Sequence, residues 1–142
     1  MYRHILIPTD GSKLAEHGVA HGLALANSVG AKVSVIFVVE PFSEMTGRFL
    51  EAVAKYAELR KEQAVATLDH AANAAKEAGV SCETIQVVNA QPHQAIIAAA
   101  EEKGCDLIVM SSHGLSGLSM LLIGSVTNKV LTQAKIPVLV CQ

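Results

Sequence analysis

The 142-residue chain has no tryptophan, and its aromatic residues amount to 4%. So few rings leave little on which single-stranded bases could stack. Charge is scarce as well: 17% of residues are Asp, Glu, Lys or Arg, and the formal net charge is −2. A duplex-binding protein carries a basic face that this balance lacks, so no nucleic-acid partner is expected. Long apolar runs are also missing. Ile5-Leu6-Ile7 gives way to Pro8-Thr9-Asp10 after three residues, short of the roughly 7–15 of a secretory leader and the roughly 20 of a membrane span. Cys82, Cys105 and Cys141 are far apart, odd in number and form no C-x-x-C. A disulfide framework or a zinc ribbon is therefore not expected. These absences predict a cytoplasmic protein with reduced, buried thiols and no direct membrane insertion.

What is present is apolar. Hydrophobic residues make up 51% of the chain, the opposite of a disordered composition, and the length suits one domain spanning 1–142. Short β-branched runs at His4–Pro8, Lys32–Val39, Ser81–Val88, Asp106–Met110 and Ile136–Cys141 alternate with helical patterns. Four of the runs are almost continuously apolar, as strands covered on both faces of a parallel sheet are. The third, from Cys82 to Val88, alternates and reads as an edge. In the first helix, Ser12 is placed to cap, Leu14, Gly18, Gly22, Leu25 and Val29 recur at helical spacing, and Gly30 stops it. The second runs from about Thr46 to Ala78, with Ala64, Leu68, Ala71 and Ala75 on one face. The third opens at Pro92 and ends at Gly104, and the fourth covers about Ser125 to Gln133. Right-handed crossovers turn this alternation into an open doubly wound α/β sheet with helices on both faces. Ligands of such sheets sit beyond the strand C-termini where the order reverses, which selects the loops after strands one and four.

The loop after strand one reads Pro8-Thr9-Asp10-Gly11-Ser12. Asp10 can accept from a ribose hydroxyl, stand near a magnesium ion, or help Ser12 cap the helix. The loop after strand four has no charged residue between Asp106 and Lys129, yet is rich in glycine and hydroxyls. Such a loop, ending in a helix that opens at Ser125, can hold phosphates on backbone N–H groups without a lysine, although turns and a plain N-cap use the same residues. His113 lies inside it and can donate to a phosphate or pack against a neighbouring chain. No G-x-x-x-x-G-K-S/T, no G-x-G-x-x-G after strand one and no nucleophile elbow occurs, since Gly114-x-Ser116-x ends on Leu118. His17 and His21 are four apart, but without H-E-x-x-H or a third ligand they read as the flank of a half-exposed helix.

These segments resemble a known family. Ile5-Leu6-Ile7-Pro8-Thr9-Asp10-Gly11-Ser12 looks like the opening of a universal stress protein domain. Asp106-Leu107-Ile108-Val109-Met110-Ser111-Ser112-His113-Gly114, Gly124-Ser125-Val126-Thr127 and Ile136-Pro137-Val138-Leu139-Val140 resemble its second half. The resemblance implies a five-stranded parallel sheet of order 3-2-1-4-5, of the adenine nucleotide alpha hydrolase-like type. Nucleotide-binding members carry G-x2-G-x9-G-S/T. Gly114, Gly124 and Ser125 match that pattern, while its first glycine is Ser111 here. Carried over, the resemblance implies adenine near Val38, ribose near Pro8, Thr9 and Asp10, and Met110 among the nucleotide-binding residues. Phosphates are then expected on the backbone of Ser111, His113, Gly114, Leu115 and Ser116 and at Gly124, Ser125 and Val126. It further implies ATP (or AMP) as ligand, with Mg2+ or Mn2+ carried by the nucleotide. A homodimer or tetramer built through Ile136–Cys141 is expected, as is a regulated partner such as a transporter. The function expected is that of a dimeric stress sensor or regulator with at most slow ATP hydrolysis. The alternative is a nucleotide-free dimeric interaction protein of the same fold; a flavin-type domain is disfavoured because no aromatic stands in the crevice loops.

Overall fold

The computed structural model describes residues 1–41, 50–114 and 123–142. Strand β1 (His4–Pro8) leads to helix α1 (Lys13–Val29), β2 (Lys32–Val39) to α2 (Leu50–Glu77), β3 (Cys82–Val88) to α3 (Pro92–Lys103), and β4 (Leu107–Ser111) to α4 (Ser125–Gln133) and β5 (Val138–Cys141). All pairings are parallel, in the order β3-β2-β1-β4-β5. The architecture expected from the sequence is thus the one observed, with the reversal between β1 and β4.

Strand patterning explains the layers. Every residue of β1 and β4 is buried, whereas β3 alternates as an edge strand should. Ile5, Ile7, Val35 and Phe37 pack with Val19, Leu23, Ala64 and Leu68 from α1 and α2. The intervening side chains Leu6, Ile36 and Ile108 meet Ile96, Ala99 and Val130 from α3 and α4. Period-two strands thereby build one core on each face.

The face of α1 differs from the stripe read off the sequence. Gly18 and Gly22 are buried as expected, but their companions are Ala15, Val19, Leu23 and Ala26; Leu14 and Leu25 flank the contact and Val29 is exposed. The small residues decide this, because they let the helix axis approach the sheet and push Leu14 and Leu25 to the sides. A Cβ on Gly22 would lie 2.5 Å from Ile7 Cδ1, and one on Gly18 would lie 3.1 Å from the Ser111 backbone nitrogen. On α2 the buried residues are Ala64, Leu68, Ala71 and Ala75, as the spacing predicts. The expected start of that helix, near Thr46, falls outside the described residues.

His4 anchors the other end of the sheet. Its Nδ1 meets the Lys103 carbonyl at 3.2 Å and its Nε2 meets Ser34 Oγ at 2.7 Å. Ser34 in turn donates to Glu83 Oε1 at 2.8 Å, and Lys103 Nζ stands 3.5 Å from Glu83 Oε2. Asp106 closes the cluster by accepting from the Arg3 and His4 N–H groups. Burial, with Lys32 nearby, holds the His4 imidazole below its ordinary range, against the opposing pull of the Lys103 carbonyl, Glu83 and Asp106.

Candidate functional site

Beyond the C-terminal ends of β1, β2 and β4 lies a cleft of about 320 Å3. Its first wall is the turn after β1. Pro8 and Thr9 are buried there, and the Thr9 N–H donates to the Ile36 carbonyl at 2.9 Å. Asp10 Oδ1 accepts from the Ser12 N–H at 3.0 Å, forming an Asx turn, and Gly11 follows at φ +81°. The turn brings Gly11 so near α2 that a Cβ would stand 2.9 Å from Thr67 Oγ1. Capping of α1 falls to Ser12 alone, whose Oγ accepts from the Ala15 N–H at 3.1 Å. Of the roles open to Asp10, helix capping is thus taken by its neighbour. Its Oδ2 faces Gly114, where a Cβ would overlap it.

The second wall comes from β4 and α4. Ser111, expected in the loop, is the last residue of β4 and is buried. Its Oγ donates to the His113 carbonyl at 2.7 Å, and its own carbonyl accepts from Thr127 Oγ1 at 2.9 Å. No described residue other than glycine has positive φ, so serine fits the backbone here without strain. Ser112 is structural: its N–H bonds the Cys141 carbonyl at 2.8 Å and its carbonyl accepts from Gly124 N–H at 2.7 Å. Its Oγ lies 3.0 Å from His113 Nδ1.

Gly124, rather than Ser125, is the N-cap of α4, at φ −68° and ψ 162°, and as a glycine it brings no capping side chain. The first bond of the helix runs from Asn128 N–H to the Gly124 carbonyl. The N–H groups of Ser125, Val126 and Thr127 therefore point out of the helix end, where the dipole favours an anion. That end borders the cleft, which Gly114 and Gly124 also line. A Cβ on Gly124 would sit 3.3 Å from the Ser112 carbonyl oxygen.

The floor is apolar: Val38 and Ile36 from β2, Met110 from β4 and Ile96 from α3. The structure thus brings together Pro8, Thr9, Asp10, Val38, Met110, Ser111, His113, Gly114, Gly124, Ser125 and Val126 around one space. Leu115 and Ser116 lie outside the described residues. Sequence reading missed Glu40 and Arg60. Arg60 is the lone lysine or arginine among the described residues that line the cleft. A signal for it existed, because Arg60 precedes Ala64 by one turn on the buried stripe of α2. Among the described residues no group of three His, Cys, Asp or Glu could hold a metal ion, and no helix is long and apolar enough to cross a membrane.

Residues 1–142 match the profile of the universal stress protein family. The chain belongs to that family. Universal stress protein MJ0531 from Methanocaldococcus jannaschii is 36% identical over 141 residues, covering 99% of this chain and 82% of the relative. The solved structure of MJ0577 from the same organism superposes with a TM-score of 0.79 at 32% identity, covering 99% of this chain and 95% of that one. A universal stress protein crystallised in complex with cAMP gives a TM-score of 0.72 at 28% identity, with coverage of 99% and 97%. In this universal stress protein fold, the cleft described above occupies the strand-order reversal.

Proposed function

We propose that this universal stress protein binds an adenine nucleotide, ATP or AMP, in the cleft and acts as a dimeric sensor or regulator. One observation carries the reading: the N-terminus of α4, whose N-cap Gly124 has no side chain to occupy its free N–H groups, borders a cleft that Gly114 and Gly124 both line. Phosphates placed there meet backbone N–H groups and the positive end of the helix. The ribose then lies over the Pro8-Thr9-Asp10 turn with Asp10 as acceptor, and the base reaches the apolar floor at Val38. The relative crystallised with cAMP supports an adenine nucleotide as the class of ligand.

Asp10 is the carboxylate nearest the phosphate end that could approach a magnesium ion carried by ATP, with the phosphates supplying its other oxygens. Hydrolysis is at most slow, and Asp10→Asn should abolish turnover while leaving binding. Dimerisation is proposed through β5. This edge strand pairs with β4 on one side, Leu139 is 37% exposed, and residues 136–141 carry no charge to discourage pairing.

The test is direct. The protein, purified without added nucleotide and denatured, should release ATP or AMP near one equivalent per chain on anion-exchange chromatography. Added ATP should raise the melting temperature of nucleotide-free protein by mass action. Neither release nor a thermal shift would place the chain among nucleotide-free interaction proteins of this fold.

A further inference from the structure

We propose that Arg60 reads the base of the bound nucleotide. The inference rests on the nucleotide reading above and adds a specificity-determining residue that no cleft loop supplies. Arg60 comes from α2, the layer opposite α4, and its guanidinium stacks over the Phe37 ring at 5.3 Å from the centroid. Nη1 donates to Gln63 Oε1 at 2.5 Å. Nε–H is shielded from solvent and meets no acceptor among the described residues. A buried donor left unpaired is costly, and a guanidinium can only donate. The group is thus held by a ring on one side and an amide on the other, and Nη2, neither shielded from solvent nor hydrogen-bonded among the described residues, is the N–H that can meet an acceptor at the cleft.

Position decides which part of the ligand supplies that acceptor. The anion pole is at the end of β4 and the start of α4. Arg60 stands over Phe37 on β2, and β1 lies between β2 and β4 in the sheet. Two strand spacings separate these ends by about 10 Å. A nucleotide with phosphates on α4 therefore extends its base, not its phosphates, toward Arg60. The floor at this end is Ile36 and Val38, suited to the face of a heterocycle. Purine ring nitrogens are acceptors that an N–H fork can meet, and Glu40, at the same end, offers a carboxylate to an exocyclic amino group.

Calorimetric titration of ATP, AMP and adenosine into wild type, Arg60→Met and Arg60→Lys separates the possibilities. Arg60→Met should weaken all three ligands by a common factor of about ten or more. Arg60→Lys should show a similar common loss, because lysine keeps the charge but not the planar fork. A loss that grows from adenosine to AMP to ATP and is restored by lysine would overturn the proposal and make Arg60 a phosphate cation. Unchanged affinities in both variants would overturn it too, leaving Arg60 a structural residue on Phe37. Wild type that binds none of the three defeats the nucleotide reading itself, an outcome distinct from either of those.

Discussion

Gly124→Asp is expected to abolish nucleotide binding while leaving the unliganded protein as stable as before, or more so. The two effects have opposite signs because one carboxylate acts on two equilibria. Gly124 is the N-cap of α4 with φ −68° and ψ 162°, a conformation open to any L-residue. Aspartate is among the best N-caps, accepting from the first free N–H groups and interacting well with the helix dipole, which is worth several tenths to about 1 kcal/mol. The neighbouring Ser112 carbonyl, 3.3 Å from a Cβ, offsets part of that gain. The same carboxylate fills the anion pole. Two unit charges at about 4 Å repel by about 4 kcal/mol at an effective dielectric constant of about 20, close to a thousandfold in affinity. Gly124→Asn separates the causes: it caps the helix without charge, so it should lose only the part of binding that capping displaces. Melting curves with and without ATP read both equilibria at once. A variant that still shows the wild-type shift with ATP would mean that phosphates do not sit on α4.

Much of this was legible before any coordinates, for identifiable reasons. Parallel strands covered on both faces must be continuously apolar, so β1, β2 and β4 announce themselves, and the alternation of Cys82–Val88 marks the edge. The glycines of α1 signalled close approach to the sheet, and Ile7 and the Ser111 backbone are what they approach. The details that escaped depend on contacts between distant segments. Which side of α1 faces inward follows the small residues Ala15 and Ala26 together with Leu23, not Leu14 and Leu25. Ser111 reads as loop because serine follows the last strongly apolar residue, yet Cys141 across the β4–β5 ladder draws it into the strand. The hydrogen bonds of His4 join residues up to 102 apart in the chain, and no local pattern encodes them. Arg60 was hidden for a related reason. An arginine on a long helix reads as solvated surface, and only the fold shows that its stripe ends under the cleft.

Phe37→Ala should be the most destabilising single truncation in the β2 layer, and its consequences reach the cleft. Phe37 is fully buried, in the core formed by β1, β2, α1 and α2. Truncating a core phenylalanine costs about 3–5 kcal/mol through lost burial and the cavity left behind. Against the 5–15 kcal/mol typical of whole-domain stability, this is a large fraction. For a chain of this size the melting temperature should fall by about 10–15 °C. The ring also carries the guanidinium of Arg60, 5.3 Å from its centroid. Phe37→Leu refills most of the volume and should recover most of the stability, yet it offers no π-face to the cation. It is therefore expected to separate packing from recognition: near-native melting, but adenosine binding weakened along with AMP and ATP. Denaturant unfolding and titration of the same three ligands measure the two quantities. Loss of binding only in proportion to loss of stability would leave Phe37 as core packing alone, with Arg60 positioned by Gln63.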